Sequence, residues 1–346
     1  MELFFYQNYF VFELIKTKNK YISKKNTKKM TEKLLSLDNI HHYSVAGKDI
    51  KIHTSPDVWS PYSAVEMLNF LEKYNYLSDI ENKTMLDLGT GSGIIGIYCA
   101  IKNAIITVSD YSQHAVDDAV QNAILNETFI DGIMSDCFVQ LENKKFDIIL
   151  SNPPVQPWLF TDLEDLEHRP TSASWNEAGA DGRLVLDALL KEGKNYLTDN
   201  GKMIISSSTR HGHQYTIDLL NQHWKNQWKI IYAKEHQLDE NYHAPYFSTW
   251  LKLQTDDFDL RIYQKDEKGR KFAFQTDEDG QVFMITALEI DDKKTNVALK
   301  FNGDYWEVYD KNNNFLMPLS NQDDRMPTKP INENWYYQYF LIECQL

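Results

Sequence analysis

Between residues 80 and 254, short apolar runs alternate with longer amphipathic stretches, a pattern that few architectures accommodate. "KTMLDLGT" reads as a strand and "GIIGIYCAIKN" as the helix after it. "AIITVSD", "FIDGIMSD", "FDIILSN", "GKMIISSS" and "WKIIYAKE" read as further strands, with "SQHAVDDAVQNAILN", "DGRLVLDALLKEGKNYL" and "GHQYTIDLLNQHW" as helices. Strands joined through helices run parallel, and the helices then cover both faces of the sheet. The expected fold is α/β, a doubly wound, mostly parallel sheet of Rossmann-like type. "YFSTWLKLQ" follows "WKIIYAKE" without a helix and reads as a strand, so an antiparallel hairpin is expected to close the sheet.

Beyond Thr255 the period changes. "FDLRIYQKDEKGRKFAFQTDEDGQVFMITALEI" and "NVALKFNGDYWEVYDKNNNFLMPL" alternate apolar and polar residues around Gly, Asn and Asp turns, which predicts an antiparallel meander of five or six strands. Three segments are therefore expected: a tail over 1–45, an α/β domain over 46–254 and a β-rich C-terminal domain over 255–346. In the tail, "LFFYQNYFVFELI" precedes the lysine run "KTKNKYISKKNTKK". A secretory signal places its positive charge before the apolar part, and a membrane span needs about 20 apolar residues, so neither description fits. The tail reads as disordered or loosely helical, or as residues preceding a start at Met30 ("MTEKLL").

A net charge of −14 argues against broad binding to a nucleic acid backbone, which requires a basic footprint. Cys99, Cys137 and Cys344 are too scattered for a disulfide framework or a zinc site, and suit a reducing cytoplasm. His211-Gly212-His213 has no acid or cysteine at ligand spacing and reads as a loop, leaving no metal site.

Two motifs carry the chemistry. In "MLDLGTGSGIIG", Gly89, Gly91 and Gly93 lie between strand and helix, where glycine lets a ligand approach the backbone near a positive helix N-terminus. Counted from Gly91 through Gly93 and Gly96, the spacing also matches a dinucleotide fingerprint, so the glycines alone leave that ligand open. The second motif is "FDIILSNPPV", in which a buried strand ends in Ser151-Asn152-Pro153-Pro154. Neither proline can donate to a ladder, and each biases its predecessor away from helix.

"LDLGTGSG" followed by "SNPP" resembles the class I S-adenosylmethionine-dependent methyltransferases, within the Asn-Pro-Pro subgroup that methylates planar nitrogens. The resemblance covers roughly residues 50 to 254 and implies a seven-stranded sheet with S-adenosyl-L-methionine as cofactor. It implies that Asp87 contacts the methionine part, that Gly89, Thr90 and Gly91 form the floor, and that Asp110 holds the ribose hydroxyls. The alternative for Asp110 is a helix cap. Asp136 would accept from the adenine amino group, and Gly93, Tyr111, Cys137 and Asn152 complete the cofactor-binding set.

A planar nitrogen has a delocalised lone pair and is a poor nucleophile. Two acceptors at its hydrogens hold it and stabilise the charge that develops on it. The Asn152 side-chain oxygen and the Pro153 carbonyl form the natural pair, and Pro153 and Pro154 fix its direction.

"WNEAGADGRLVLDALL" resembles the Gly-Gly-x-Asp-Gly-Leu segment of the release-factor glutamine methyltransferase group. "HTSPDVWSPYSAVEMLNFL" resembles the segment leading into the domain in that group and in small ribosomal RNA guanine methyltransferases. Trp59 and Tyr62 of that segment are candidates for the target pocket, or else packing residues.

Two features depart from the group. Val155 stands where an aromatic residue usually follows the prolines, leaving Trp158 as the candidate stacking surface. The group's N-terminal helical domain has no counterpart in about 50 leading residues, so the meander is the candidate recognition element. The expected activity is N-methylation of a glutamine-like amide of a protein substrate. A nucleobase or small amine is the alternative target, and a non-catalytic cofactor-binding scaffold is the third reading.

Overall fold

The computed structural model describes residues 39–54, 61–158, 177–239, 243–276, 279–330 and 333–346. The elements follow in chain order: β1 (Ile40–Val45), β2 (Lys48–His53), α1 (Tyr62–Lys73), β3 (Thr84–Leu88), α2 (Ile94–Ile101), β4 (Ile105–Asp110), α3 (Gln113–Leu125), β5 (Asp131–Met134) and β6 (Phe146–Ser151). Next come α4 (Leu184–Glu192), β7 (Leu197–Ser208), α5 (His213–His223), β8 (Trp228–Gln237) and α6 (Phe247–Asp257). The last part holds β9 (Gln264–Lys265), β10 (Lys271–Thr276), β11 (Val282–Ile290), β12 (Lys293–Phe301), β13 (Trp306–Tyr309), β14 (Phe315–Leu319) and β15 (Tyr336–Gln345).

Seven strands form the central sheet, in the order β5-β4-β3-β6-β7-β15-β8. The β5 to β7 neighbours pair in parallel, and β15 runs antiparallel to both β7 and β8. Leu68, Ile97, Ala119 and Leu341 build the core on one face, together with the β1–β2 hairpin. Leu189, Leu220, Trp224 and Phe340 build it on the other. Helix α2 is buried from Ile94 to Ala100, which accounts for its unbroken apolar sequence.

Three expectations are corrected. Residues 40–45, assigned to the tail, form β1, which pairs with β2 across Ala46 and Gly47 at φ +48° and +78°. Asn122 of α3 and Asn126 just past its end accept from the His53 and Lys51 amides and fix this hairpin on the helix, a tertiary contact that a local pattern does not carry. "YFSTWLKLQ" is helical: Tyr246, Trp250 and Gln254 recur at four-residue spacing and are all buried.

The third correction concerns the boundary at Thr255. The chain leaves the sheet after β8, builds α6 and a six-stranded sheet in the order β14-β13-β12-β11-β10-β9, then returns as β15 between β7 and β8. A separate unit over 255–346 therefore does not hold, because residues 336–345 belong to the central sheet. At the neck of the excursion Tyr263 and Tyr336 exchange backbone hydrogen bonds of 3.0 and 2.8 Å. The meander has its own small core around Phe272, Met284, Val297 and Leu299.

Among the described residues no helix is long and apolar enough to cross a membrane.

Candidate active site

In a doubly wound sheet, ligands bind outside the carboxyl ends of the strands, at the point where strand order reverses. Here the order reverses between β3 and β6, and the two sequence motifs stand on either side of that line. Asp87 lies in β3 directly beside Leu150 of β6, and the Gly89 backbone comes near Pro154, whose Cδ lies 4.0 Å from where a Cβ would be. Asp110, Asp136 and Ser206 lie at or just past the ends of neighbouring strands.

The glycine turn uses its lack of side chains. Gly89, Gly91 and Gly93 have φ of +72°, +51° and +85°, a region costly for other residues. A Cβ on Gly93 would stand 2.7 Å from that of Ala119, whereas one on Gly91 would meet nothing within 4 Å, leaving an open cradle. Gly89 and Thr90 both donate backbone N–H bonds to Ser109 O, which holds the turn against β4.

Asp87 is buried, and its Oδ2 accepts from Thr90 Oγ1 at 2.7 Å and from the Gly96 amide at 3.0 Å. Its Oδ1 is buried with no hydrogen-bond partner. Burial pushes its carboxyl up to about 6 against the bonds from Thr90 and Gly96, with Asp110 nearby adding to the rise. A buried carboxylate oxygen without a donor is costly by itself and fits a ligand that brings one.

Asp110 does not cap α3. That role falls to Ser112, whose side chain accepts from the Ala115 amide. Asp110 instead accepts at Oδ2 from the Gly91 amide and at Oδ1 from the Ser112 amide, both at 3.0 Å. Each oxygen keeps lone-pair capacity for a further donor. Burial also raises the Asp110 carboxyl.

Asp136 is exposed just beyond β5. Cys137 follows in the left-handed region at φ +46°, and burial beside Asp136 pushes its thiol up to about 12, so it stays protonated. Tyr111 is exposed next to Asp110.

On the other side of the reversal, the Asn152 amide is gripped at both ends. Its Nδ2 donates to Ser63 Oγ of α1 at 2.9 Å, and its Oδ1 accepts from Ser206 Oγ of β7 at 2.7 Å. Past Pro153 and Pro154 the chain pairs with the 177–179 segment: Ala178 N donates to Gln156 O and Trp158 N to Gly179 O. A Cβ on Gly182 would lie 2.5 Å from Val155 O, so the "GADG" turn packs directly beneath the Asn-Pro-Pro loop. Val155 is half-buried there, Trp158 is largely exposed, and Tyr62 is exposed at the start of α1. Trp59 lies outside the described residues.

Sequence reading missed three side chains: Ser63, Ser206 and His211. The His211 ring is fully buried against the Pro154 carbonyl, with Nδ1 accepting from the Ser208 amide at 3.2 Å. Burial and the nearby Arg183, Arg210 and Arg261 hold it well below its ordinary value, hence neutral. Isolated serines and a histidine in a polar loop carry no local signal of this role. Only the approach of β7 and α1 to β6 assembles them.

The fold and this edge define a class I methyltransferase. Residues 49–165 match the family described as methyltransferase small domain. A Methanocaldococcus jannaschii protein, named provisionally a protein N5-glutamine methyltransferase, is 36% identical over 177 residues, covering 51% of this chain and 84% of that one. The ribosomal protein uL3 glutamine methyltransferase of Francisella tularensis is 35% identical over 155 residues, and the match covers 42% of this chain and 48% of that protein. A 16S rRNA N2 G1207 methyltransferase of T. thermophilus, solved with its cofactor and guanosine, superposes with a TM-score of 0.44 at 19% identity, covering 56% of this chain and 47% of that one. The chain belongs to the Asn-Pro-Pro group of S-adenosylmethionine-dependent methyltransferases, and its cofactor is S-adenosyl-L-methionine.

Proposed function

We propose that this protein methylates the side-chain nitrogen of a glutamine in a protein substrate. The observation that carries this reading is the Asn152 amide, held at the reversal point between Ser63 and Ser206 with Asp87 and the glycine turn across from it. The names of the relatives from Methanocaldococcus jannaschii and Francisella tularensis support an amide of a protein as target. Bound in the cradle, S-adenosyl-L-methionine supplies a methyl group already activated on sulfonium. Asp110 would take the ribose hydroxyls, Asp87 the methionine end through its unpartnered Oδ1, and Asp136 with Cys137 the adenine edge. Asn152 Oδ1 and the Pro153 carbonyl would accept the two amide hydrogens of the target, aligning its nitrogen and opposing delocalisation of its lone pair. Pro154 lacks an N–H and leaves those acceptors without a competing donor. Trp158 and Tyr62, both exposed beside this edge, would flank the target. The meander, attached where β15 begins, would contribute recognition of the protein that carries it.

The direct test is methyl transfer from labelled cofactor into separated protein, RNA and small-molecule fractions, with mass spectrometry of peptides from the labelled protein. Methylation at glutamine N5 is expected. Label confined to RNA or small molecules would overturn the reading.

Two further outcomes concern the cofactor side. S-adenosylhomocysteine should raise the melting temperature through preferential binding to the folded state, and NAD should not. Asp110→Ala should weaken this binding by about 1–3 kcal/mol, the scale of hydrogen bonds to a charged group. Equal stabilisation by NAD would contradict the assignment of the glycine turn.

Asp87 should make binding depend on pH. Its carboxyl is raised from 3.8 to about 6 in the protein without ligand, so it is protonated below that range and ionised above it. A ligand that requires the ionised form should lose affinity as pH falls through about 6, approaching tenfold per unit. The opposite sign holds for stability without ligand: the contribution of neutral Asp87 is full below 3.8 and is lost as pH rises through about 6. Asp87→Asn should therefore flatten the binding profile and stabilise the ligand-free protein at neutral pH, which calorimetric titration and thermal denaturation at several pH values will read.

A further inference from the structure

A buried guanidinium is costly unless its charge is paired, and a buried ion pair is better at specifying geometry than at adding stability. Two such groups lie beside the candidate site and take no part in its cofactor or acceptor contacts. Arg183 is 2% exposed and Arg261 3%. Each turns one end of its fork to a carboxylate on its own helix or loop, Arg183 to Asp187 at 2.8 Å and Arg261 to Asp257. The other end of both forks goes to the same turn after β7. Arg261 Nη1 donates to the Arg210 carbonyl at 2.7 Å. Arg183 Nη1 donates to the His211 carbonyl, to the Gly212 carbonyl at 3.4 Å and to Thr216 Oγ1 at 2.9 Å. Three consecutive carbonyls are thus held by two arginines from distant parts of the chain.

We propose that Arg183 and Arg261 are positioning residues: through this turn they register the root of the meander against the Asn-Pro-Pro loop, so that a protein held by the meander presents its glutamine at Asn152. On the loop side, Arg183 directly follows Gly182, which packs against the Val155 carbonyl. The same segment bonds to the loop through Ala178 N to Gln156 O and Trp158 N to Gly179 O, both 2.9 Å. On the meander side, Arg261 lies between α6 and β9, next to the Tyr263–Tyr336 neck. Its carbonyl accepts from Thr209 Oγ1 at 2.7 Å, and Thr209 Oγ1 accepts in turn from the Gln338 amide of β15 at 3.1 Å. Asp259 accepts from the Gln214 amide at the start of α5. A Cβ on Gly212 would stand 3.1 Å from Arg261 Nη2, so turn and guanidinium are in direct contact. The path is continuous: neck, Arg261, the three carbonyls, Arg183, Gly182, Val155. A planar fork with fixed donors transmits orientation along it, whereas a lysine ammonium is a point charge on a flexible stem.

The inference rests on the meander contributing recognition of the acceptor protein. Arg183 and Arg261 touch neither cofactor nor target and act through the loop.

The test measures kcat/KM for methyl transfer to two acceptors: the intact protein found by labelling, and a short synthetic peptide centred on its methylated glutamine. The peptide needs only the loop, whereas the intact protein needs loop and meander in register. Arg261→Ala and Arg261→Lys should lower kcat/KM for the intact protein roughly 10- to 100-fold, the scale of hydrogen bonds to a charged group, and leave the peptide within about twofold of native. Arg261→Lys keeps a cation beside Asp257 and serves if Arg261→Ala does not fold. Arg183→Lys, on the loop side, should slow both acceptors. The double variant Arg183→Lys with Arg261→Lys should lose no more on the intact protein than the slower single variant, because the two links act in series. The melting-point response to S-adenosylhomocysteine should be unchanged in all of them. Equal losses for the Arg261 variants with peptide and protein, or additive losses in the double variant, would mean ordinary packing and overturn the inference. If the native protein methylates the peptide as well as the intact protein, recognition by the meander fails and the inference with it. If it prefers the intact protein and the Arg261 variants keep that preference, only the inference fails. A check independent of substrate is hydrogen exchange at the Trp158 and Ala178 amides, which should quicken in both lysine variants while exchange in β3 and β4 does not. Unchanged exchange at those two amides, or equal quickening in β3 and β4, would also overturn it.

Discussion

Asn152→Ala should lower single-turnover methyl transfer by roughly 100- to 1,000-fold, the loss seen when one preorganised hydrogen-bonding group is removed from a transition-state site. The substitution deletes the side-chain acceptor and leaves Pro153 and Pro154 in place. The loop should keep its shape, because it is held by pairing of Gln156 and Trp158 with the 178–179 segment and by the close contact of Gly182 with Val155. Cofactor affinity should stay nearly constant, since Asp87, the glycine turn and Asp110 lie on the other side of the reversal point. Asn152→Asp is the finer measurement. It retains an acceptor and adds a charge between Ser63 and Ser206, both of which can donate to it, so partial activity is expected. A native rate for Asn152→Ala, with methyl transfer and cofactor affinity measured separately, would reduce Asn152 to a structural turn.

Removal of β15 should abolish folding, even though it deletes only the end of the chain. Phe340, Leu341 and Ile342 are buried on the two faces of the central sheet. Their burial alone contributes about 5–9 kcal/mol, comparable with the whole stability of a typical domain. The deletion also leaves the facing backbone groups of β7 and β8 without partners. A chain ending at Thr255 or at Glu333 should therefore lack a cooperative unfolding transition. Replacing residues 264–335 by an Asn-Gly turn should have the opposite result. Tyr263 and Tyr336 already exchange two backbone hydrogen bonds, so a two-residue hairpin connection suits the gap. That protein should fold and respond to S-adenosylhomocysteine while losing activity on its protein substrate. Circular dichroism and thermal denaturation of the two deletions decide the matter: a folded chain ending at Thr255 would show that β15 is dispensable.

The parts of this protein legible in the sequence are those set by local chemistry. Gly89, Gly91 and Gly93, closely spaced between a strand and a helix, mark a turn with positive φ, and strand–helix alternation forces parallel pairing. The prolines after Asn152 mark the end of β6 without reference to any neighbour. The "YFSTWLKLQ" segment reads as a strand because aromatic-rich sequence suits a pleated surface, whereas its buried residues follow a four-residue stripe packed with Leu238, Ile262 and Trp335 near the neck of the meander. The return of β15 was not legible at all. Its apolar run "YFLIEC" is compatible with any buried strand, and its partners β7 and β8 lie more than 90 residues earlier. The sequence by itself determined the class of sheet, the glycine turn after β3 and the proline-marked end of β6, since each depends on the conformational limits of single residues and their immediate neighbours. Only the tertiary structure decided which strand completes that sheet and which hydroxyls grip Asn152. Pairing partners and side-chain neighbours depend on which apolar faces find each other across the whole chain, and no local pattern encodes that choice.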